Sequence, residues 1–198
     1  MDYHVVKYTG PFGFIKPWTA VRDGETFSQQ FLTPSIVEGM EKKLFPELLS
    51  EQGIFKIKRH RLAYNGLARQ MEVIQGADYE TKKIKGQKAK VKMRRQQGIL
   101  FRSVLLNPIL YLAFESLPDA EIAAQQHLCL CRNEDLVYPT DLQSMPEAEF
   151  EELVGFELQF GEHLDEAFLV GYNRYHQAVP MYGRLEIIGD ASQFHDYA

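Results

Sequence analysis

Residues 78–95 read Asp78-Tyr79-Glu80-Thr81-Lys82-Lys83-Ile84-Lys85-Gly86-Gln87-Lys88-Ala89-Lys90-Val91-Lys92-Met93-Arg94-Arg95, with eight cations inside 14 positions around one glycine. Such a stretch cannot be packed into a core, because each ammonium would lose its hydration with no carboxylate to replace it. It must project into solvent or onto a polyanion. The alternation Lys88, Lys90, Lys92 puts three ammonium groups on one face of a strand, and a turn near Gly86 makes the stretch a basic β-hairpin.

The segments on either side of the hairpin supply the rest of the fold. Ile54 to Asn65 reads as a strand with a basic centre, Lys56-Ile57-Lys58-Arg59-His60-Arg61. Ile99 to Glu115 reads as another, broken at Asn107-Pro108, where proline removes a ladder donor and calls for an edge or a bulge. Farther out, His4 to Thr9 is a β-branched and aromatic run that stops at Gly10-Pro11. Thr33-Pro34 supplies an N-cap and a first-turn proline. Ile36, Val37, Met40, Leu44, Phe45 and Leu48 then repeat at helical spacing with Glu38, Glu41, Lys42 and Lys43 opposite. The expectation is an amphipathic helix of about four turns, closed by Gly53. Ser116-Leu117-Pro118-Asp119 opens a second helix through Gln126, and His127 to Arg132 is a short strand.

The order is therefore β-α-β-β-α-β, an α+β, ferredoxin-like core of residues 1–131 with the basic hairpin at about 66–98 as an insertion. Residues 132–198 read as a C-terminal α+β appendage. In it Ser144-Met145-Pro146-Glu147 is a capping box opening a helix to Val154, and Phe156–Phe160, Ala167–Gly171 and Tyr182–Ile188 alternate like strands. Charge divides along the same line. Residues 1–114 hold 19 Lys and Arg against 10 Asp and Glu, while residues 115–198 hold 3 against 17.

This asymmetry points to nucleic acid first and to an acidic protein or a membrane surface second, with a solvated loop as the plain alternative. The chain is expected to be cytoplasmic and not membrane-bound. Its longest apolar run, Ile109 to Phe114, is far short of the ~20 residues a membrane helix needs. Its two cysteines, Cys129 and Cys131, are too close for an ordinary structural disulfide and have no zinc-spaced partners, so neither a metal nor a cofactor is expected.

On the nucleic-acid reading, Lys82, Lys83, Lys85, Lys88, Lys90, Lys92, Arg94 and Arg95 neutralise phosphates, which gives affinity without sequence information. Trp18 and Tyr64 are candidates to stack on bases, and Arg22, Arg59, Arg61 and Arg102 to reach backbone or base edges. The backbone N–H groups after Thr33, with the Ser35 hydroxyl, offer a phosphate site, or simply a helix cap. His60, between Arg59 and Arg61, is the one candidate general base for a metal-independent ribonuclease, assisted by Tyr64 or Lys58; structural or phosphate-binding work is its plainer reading.

Three segments carry a family resemblance. Gly10-Pro11-Phe12-Gly13-Phe14-Ile15-Lys16-Pro17-Trp18-Thr19, Gly24-Glu25-Thr26-Phe27-Ser28 and Leu32-Thr33-Pro34-Ser35-Ile36-Val37-Glu38-Gly39-Met40 resemble the opening of the fifth Cas protein family. These are RAMP subunits that cap the 5′ handle of the guide RNA (crRNA) in CRISPR effector complexes. The resemblance covers roughly residues 1–115 and implies a basic hairpin thumb after the second strand. It also implies neighbouring backbone and large subunits, with target DNA met only through the complex. Some members cut precursor guide RNA with a tyrosine at the end of the first helix and a Lys-His pair. Here that helix end carries Leu44-Phe45 and no Lys-His dipeptide occurs, so the expectation is a non-catalytic RNA-binding subunit. The short length and divergent C-terminal part fit a minimal, type IV-like system. A precursor endoribonuclease of the same fold using His60, and a protein-interaction module docking its hairpin on an acidic partner, are the alternatives.

Overall fold

In chain order the strands are β1 (Asp2–Thr9), β2 (Phe12–Gly13), β3 (Glu25–Phe27), β4 (Ile57–Ala63), β5 (Leu67–Lys83), β6 (Val91–Leu106), β7 (Ile109–Phe114), β8 (Leu128–Cys129), β9 (Leu136–Pro146), β10 (Gly155–Phe160), β11 (Phe168–Asn173) and β12 (Val179–Ile188). Helix α1 (Pro34–Leu44) precedes β4, α2 (Leu117–Ala123) follows β7, and α3 (Glu147–Glu151) follows β9. The computed structural model describes residues 2–17, 25–83, 91–173 and 178–193, and side chains outside 75–96 and 173. The fold is α+β and mostly antiparallel. Eight strands form one sheet in the order β11-β12-β10-β4-β7-β1-β9-β8, and β5 and β6 form a long hairpin whose base is joined by β2 and β3.

Strand β1 shows why the large sheet has two cores. Its alternation sends Val6 and Tyr8 to one face and Tyr3 and Val5 to the other, and all four are buried. The first face meets Val37, Met40 and Leu44 of α1, Ala120 and Ala123 of α2, and Leu110, Leu112 and Phe114 of β7. Burying each Leu or Phe there contributes ~1.5–3 kcal/mol. The Tyr8 hydroxyl would be an unpaired polar group in this core, and it donates instead to the Ala123 carbonyl at 2.7 Å. On the second face Tyr3, Val5, Ile109, Tyr111 and Met145 pack with Phe150 of α3, whose ring meets Tyr3 edge-on.

Several expectations are corrected in detail. The first helix ends at Leu44, because Pro46 has no N–H to continue the ladder, and Pro46–Leu48 form one 3-10 turn. Thr33 is the N-cap, through its backbone carbonyl alone. Glu41, expected on the solvent face, has no exposed surface. Its carboxylate accepts the backbone N–H groups of Phe55, Lys56 and Ile57 at 2.6–2.8 Å and so holds the chain that leads into β4.

The strand that completes the sheet beside β1 is β9, outside the expected core. Of residues 127–132 only Leu128–Cys129 are strand. Eight residues of β9 pair with β1, from Asp2↔Pro146 to Thr9↔Tyr138, so the sheet crosses the expected boundary at 131. Ser144 lies in β9 and bonds His4 Nδ1 at 2.7 Å rather than capping a helix, and α3 starts after Pro146. Among the described residues, no helix is long and apolar enough to cross a membrane.

Replacing Glu41 by alanine strands the buried Ile57 N–H, at a cost of about 1–3 kcal/mol, and takes the partner from the part-buried N–H groups of Phe55 and Lys56. A loss of about 2–3 kcal/mol in urea unfolding is expected, with an unchanged m-value.

Candidate nucleic-acid interface

The basic stretch does lie in a hairpin inserted between β4 and β7. β5 and β6 pair antiparallel from Leu67↔Leu105 out to Lys83↔Val91, with an irregularity between Gln75 and Tyr79. Between residues 67 and 106 the chain holds ten Lys and Arg against three acids. The register sets Lys82 opposite Lys92 and Glu80 opposite Arg94. Lys82, Lys83, Lys92, Arg94 and Arg95 are on these strands. Lys85, Lys88 and Lys90, with the turn expected near Gly86, lie outside the described residues, as do Trp18 and Arg22.

The base of the hairpin is fixed by cations over aromatic rings. β3 pairs in parallel with β6, Glu25 opposite Phe101. Arg69 lies 3.7 Å above the Phe101 ring and 3.2 Å from the Glu25 carboxylate. Arg102 pairs with Glu72 and sits 4.9 Å over the Phe14 ring, which Arg132 approaches from 5.5 Å. Arg102 is therefore a half-buried, paired cation at the root of the hairpin. Ser35 is exposed at the start of α1, bonded to the Thr33 hydroxyl at 3.2 Å, with no acid in the first turn.

Arg59 and Arg61 are placed otherwise. Both point to the second face of the sheet, toward β10 and α3. Arg61 has no exposed surface: it donates to Glu157 at 2.9 Å and to the carbonyls of Glu151 and Leu153 at 3.0 and 2.7 Å. Arg59 grips Glu157 through Nε and Nη2 at 2.6 and 2.8 Å and Glu151 through Nη1 at 2.7 Å. Both guanidinium groups lie 5.2 Å from the Phe150 ring. Burial pushes the Glu157 carboxyl up, but the guanidinium groups outweigh it and hold the group below its usual range. Gly155 makes the approach possible, since a Cβ there would stand 2.6 Å from Arg61 Cγ and 3.0 Å from the Leu62 carbonyl oxygen. Assignment of Arg61 to RNA contact is withdrawn, and Arg59 is committed to two carboxylates.

The histidine between them turns the other way. His60 is 3% exposed, stacks on Phe160 with centroids 5.5 Å apart, and its Nε2 has no hydrogen-bond partner. Burial pushes its pKa down to about 4, against the pull of Glu157 and with the help of Arg59 and Arg61. A ring so enclosed cannot reach a phosphodiester, which removes the candidate base. Tyr64 is likewise in the core, stacked on Phe156 at 5.9 Å. Lys56 bonds Glu47 and Asp119 at 2.9 Å over the Phe45 ring, and Lys58 faces Glu115 at 3.4 Å. Cys129 and Cys131 are free thiols, and among the described residues no group of His, Cys, Asp and Glu has the arrangement of a metal site.

What sequence reasoning missed is that the acids of the second half are partners of Arg59 and Arg61. The signal was Glu-x5-Glu at 151 and 157 in a half with almost no cations of its own. No protein-family model matches the chain, and no curated protein matches it.

Replacing Arg61 by alanine leaves Glu157 buried beside one guanidinium instead of two, and a loss of about 3–5 kcal/mol in chemical unfolding is expected. His60 makes a separate pH prediction. Its folded pKa lies below its unfolded value of 6.5, so the unfolded chain binds the extra proton and stability drops as pH falls from about 6.5 toward 4. The parent should lose up to ~1.4 kcal/mol per pH unit relative to His60→Phe across that window, measured by urea unfolding.

Proposed function

We propose that this protein is an RNA-binding subunit of a CRISPR effector complex, gripping the 5′ handle of the crRNA and capping the backbone filament. The observation that carries the reading is the β5–β6 hairpin: a ribbon of 17 and 16 residues, inserted between β4 and β7, that concentrates the cations of the first half. Phosphate contacts supply the affinity, and release of condensed counterions makes that affinity salt-dependent. The role asks no catalysis of the chain.

The topology supports the finer fold assignment that goes with this role. Taken alone, β1-α1-β4-β7-α2-β9 has the element order β-α-β-β-α-β and the sheet order β9-β1-β7-β4, with every neighbouring pair antiparallel. That is the arrangement of a ferredoxin-like unit, in which the two helices cross on one face. In this reading the hairpin is a RAMP thumb, and β10, β11 and β12 extend the sheet on the far side of β4. Exposed acids such as Glu147, Glu149 and Glu152 repel phosphate from the α3 side, leaving the RNA the hairpin side. The cytoplasm, neighbouring backbone and large subunits, and access to target DNA only within the complex belong to the same proposal.

Replacing Lys88, Lys90 and Lys92 together by alanine tests it. RNA binding should weaken, and the slope of log K against log salt should become shallower by about 2, at ~0.7 per lost contact to single-stranded RNA. Thermal unfolding should be unchanged, since lysines in a stretch of this charge density are not core residues. Equal affinity and equal slope in parent and variant would remove the hairpin from the interface.

A further inference from the structure

The segment that carries β10, β11 and β12 leaves and rejoins the rest of the molecule at one point. Its first residue, Gly155, stands opposite its last, Ile188, in the β10–β12 ladder, and Gly189 follows at once. Both glycines hold φ values that residues with a side chain rarely adopt, 153° and 62°. Just outside them the chain is fastened to β4 and its continuation. Arg61 donates to the Leu153 carbonyl at 2.7 Å, the Tyr64 N–H donates to the Ala191 carbonyl at 3.0 Å, and Asn65 pairs with Gln193.

Between these anchors little main chain holds the segment in place. Among the described residues β11 pairs with β12 alone, β12 pairs with β11 and β10, and β10 meets β4 in the single register pair Phe156↔Leu62. The rest of the seam is side chains, and they are mixed. Phe156 and Leu158 are buried, but so are Glu157 and Arg61, and His60 Nε2 and Arg61 Nε are enclosed on β4 without a hydrogen-bond partner. Glu157 also stands directly opposite Glu186 of β12, which pairs with Arg184. On separation the guanidinium and carboxylate groups regain their hydration, so the ion pairs resist opening far less than their number suggests.

We propose that residues 155–188 release from β4 as one cooperative unit, pivoting at Gly155 and Gly189, and that acid promotes the release. Once off the core, a small meander has no apolar face buried and does not keep its ladder, so its strands open together. His60 supplies the acid response. In the closed form its ring lies against Phe160 of β10, and the groups that act on it are Glu157 of β10, Arg59 and Arg61 of its own strand, and the Leu32 backbone before α1. Burial outweighs Glu157 and keeps the ring neutral down to about pH 4, whereas a ring freed into water takes its proton near 6.5. The released form therefore binds the extra proton, and acid favours it. The carboxylates act in the same direction at lower pH. Against burial, the guanidinium groups hold Glu157 below its usual range, and Arg59 does the same for Glu151, so protonating either one loosens the closed form. The inference uses no part of the RNA reading.

Hydrogen exchange of the full chain at pH 7 and pH 4.5, resolved by peptide and corrected for intrinsic exchange rates, tests it. β10 is an interior strand of the sheet, so plain fraying from the β11 edge would leave it as protected as β4. Release as a unit instead gives β10 and β12 one shared opening constant, about tenfold or more above that of β4 and β7. With His60 titrating at about 4 when closed and 6.5 when free, that constant should rise about 50-fold more between pH 7 and 4.5 in the parent than in His60→Phe. Parent β10 protected as strongly as β4 at both pH values, or β10 and β12 exchanging with unrelated constants, would overturn the inference. An equal acid response in parent and His60→Phe would overturn it as well, by removing the latch.

Discussion

The buried pairing of Arg61 with Glu157 is the contact on which the placement of β10 beside β4 depends. Backbone pairing between β4 and β10 comes down to one register pair, Phe156↔Leu62. Side chains supply the rest. Glu157 takes Arg59 and Arg61 together, Glu151 adds a second carboxylate, and Phe150 lies against both guanidinium groups. On the other face the Tyr64–Phe156 and His60–Phe160 stacks close the same seam. An ion pair so deeply buried adds little net stability compared with an apolar pair of the same shape. What it does impose is register, because a shift of one residue in β10 would turn Glu157 to the other face of the sheet and take its carboxylate from both guanidinium groups.

This seam divides the cations of the first half into two populations with different jobs. Arg59 and Arg61 are neutralised from within by acids of the second half. Lys56 and Lys58 likewise have carboxylate partners. The hairpin is where cations outnumber acids, for residues 67–106 hold ten Lys and Arg against three acids, of which Glu72 pairs with Arg102. The imbalance that looked like a property of half the chain thus belongs to one protruding ribbon.

Much of the fold was legible because it rested on local signals. The alternation of His4 to Thr9, the Thr33-Pro34 start, the break at Asn107-Pro108 and the hairpin all follow from residue types at short range. At Asn107-Pro108, where an edge or a bulge was expected, the chain instead passes from β6 of the hairpin to β7 inside the large sheet, with Asn107 at a positive φ of 44°. β9 was not legible. It carries Pro139 and Pro146, and Asp141, Gln143 and Ser144 between them, which read as loop. They are tolerated because β8 covers only Val137 and Leu136, leaving the rest of β9 an outer edge. Buried Glu41 and Arg61 were misread for a related reason. A charge is a surface signal unless its partner is known, and the partners of Arg61 lie 90 or more residues away.

On the proposed function RNA follows the hairpin side and is kept off the acidic α3 side. Crosslinking a guide RNA bearing photoreactive bases, then identifying the attached peptides by mass spectrometry, tests this directly. The account predicts that attached peptides come from the hairpin and its base, residues 67–106, and that α3 is unlabelled. A dominant crosslink in Glu147–Glu151 would contradict it.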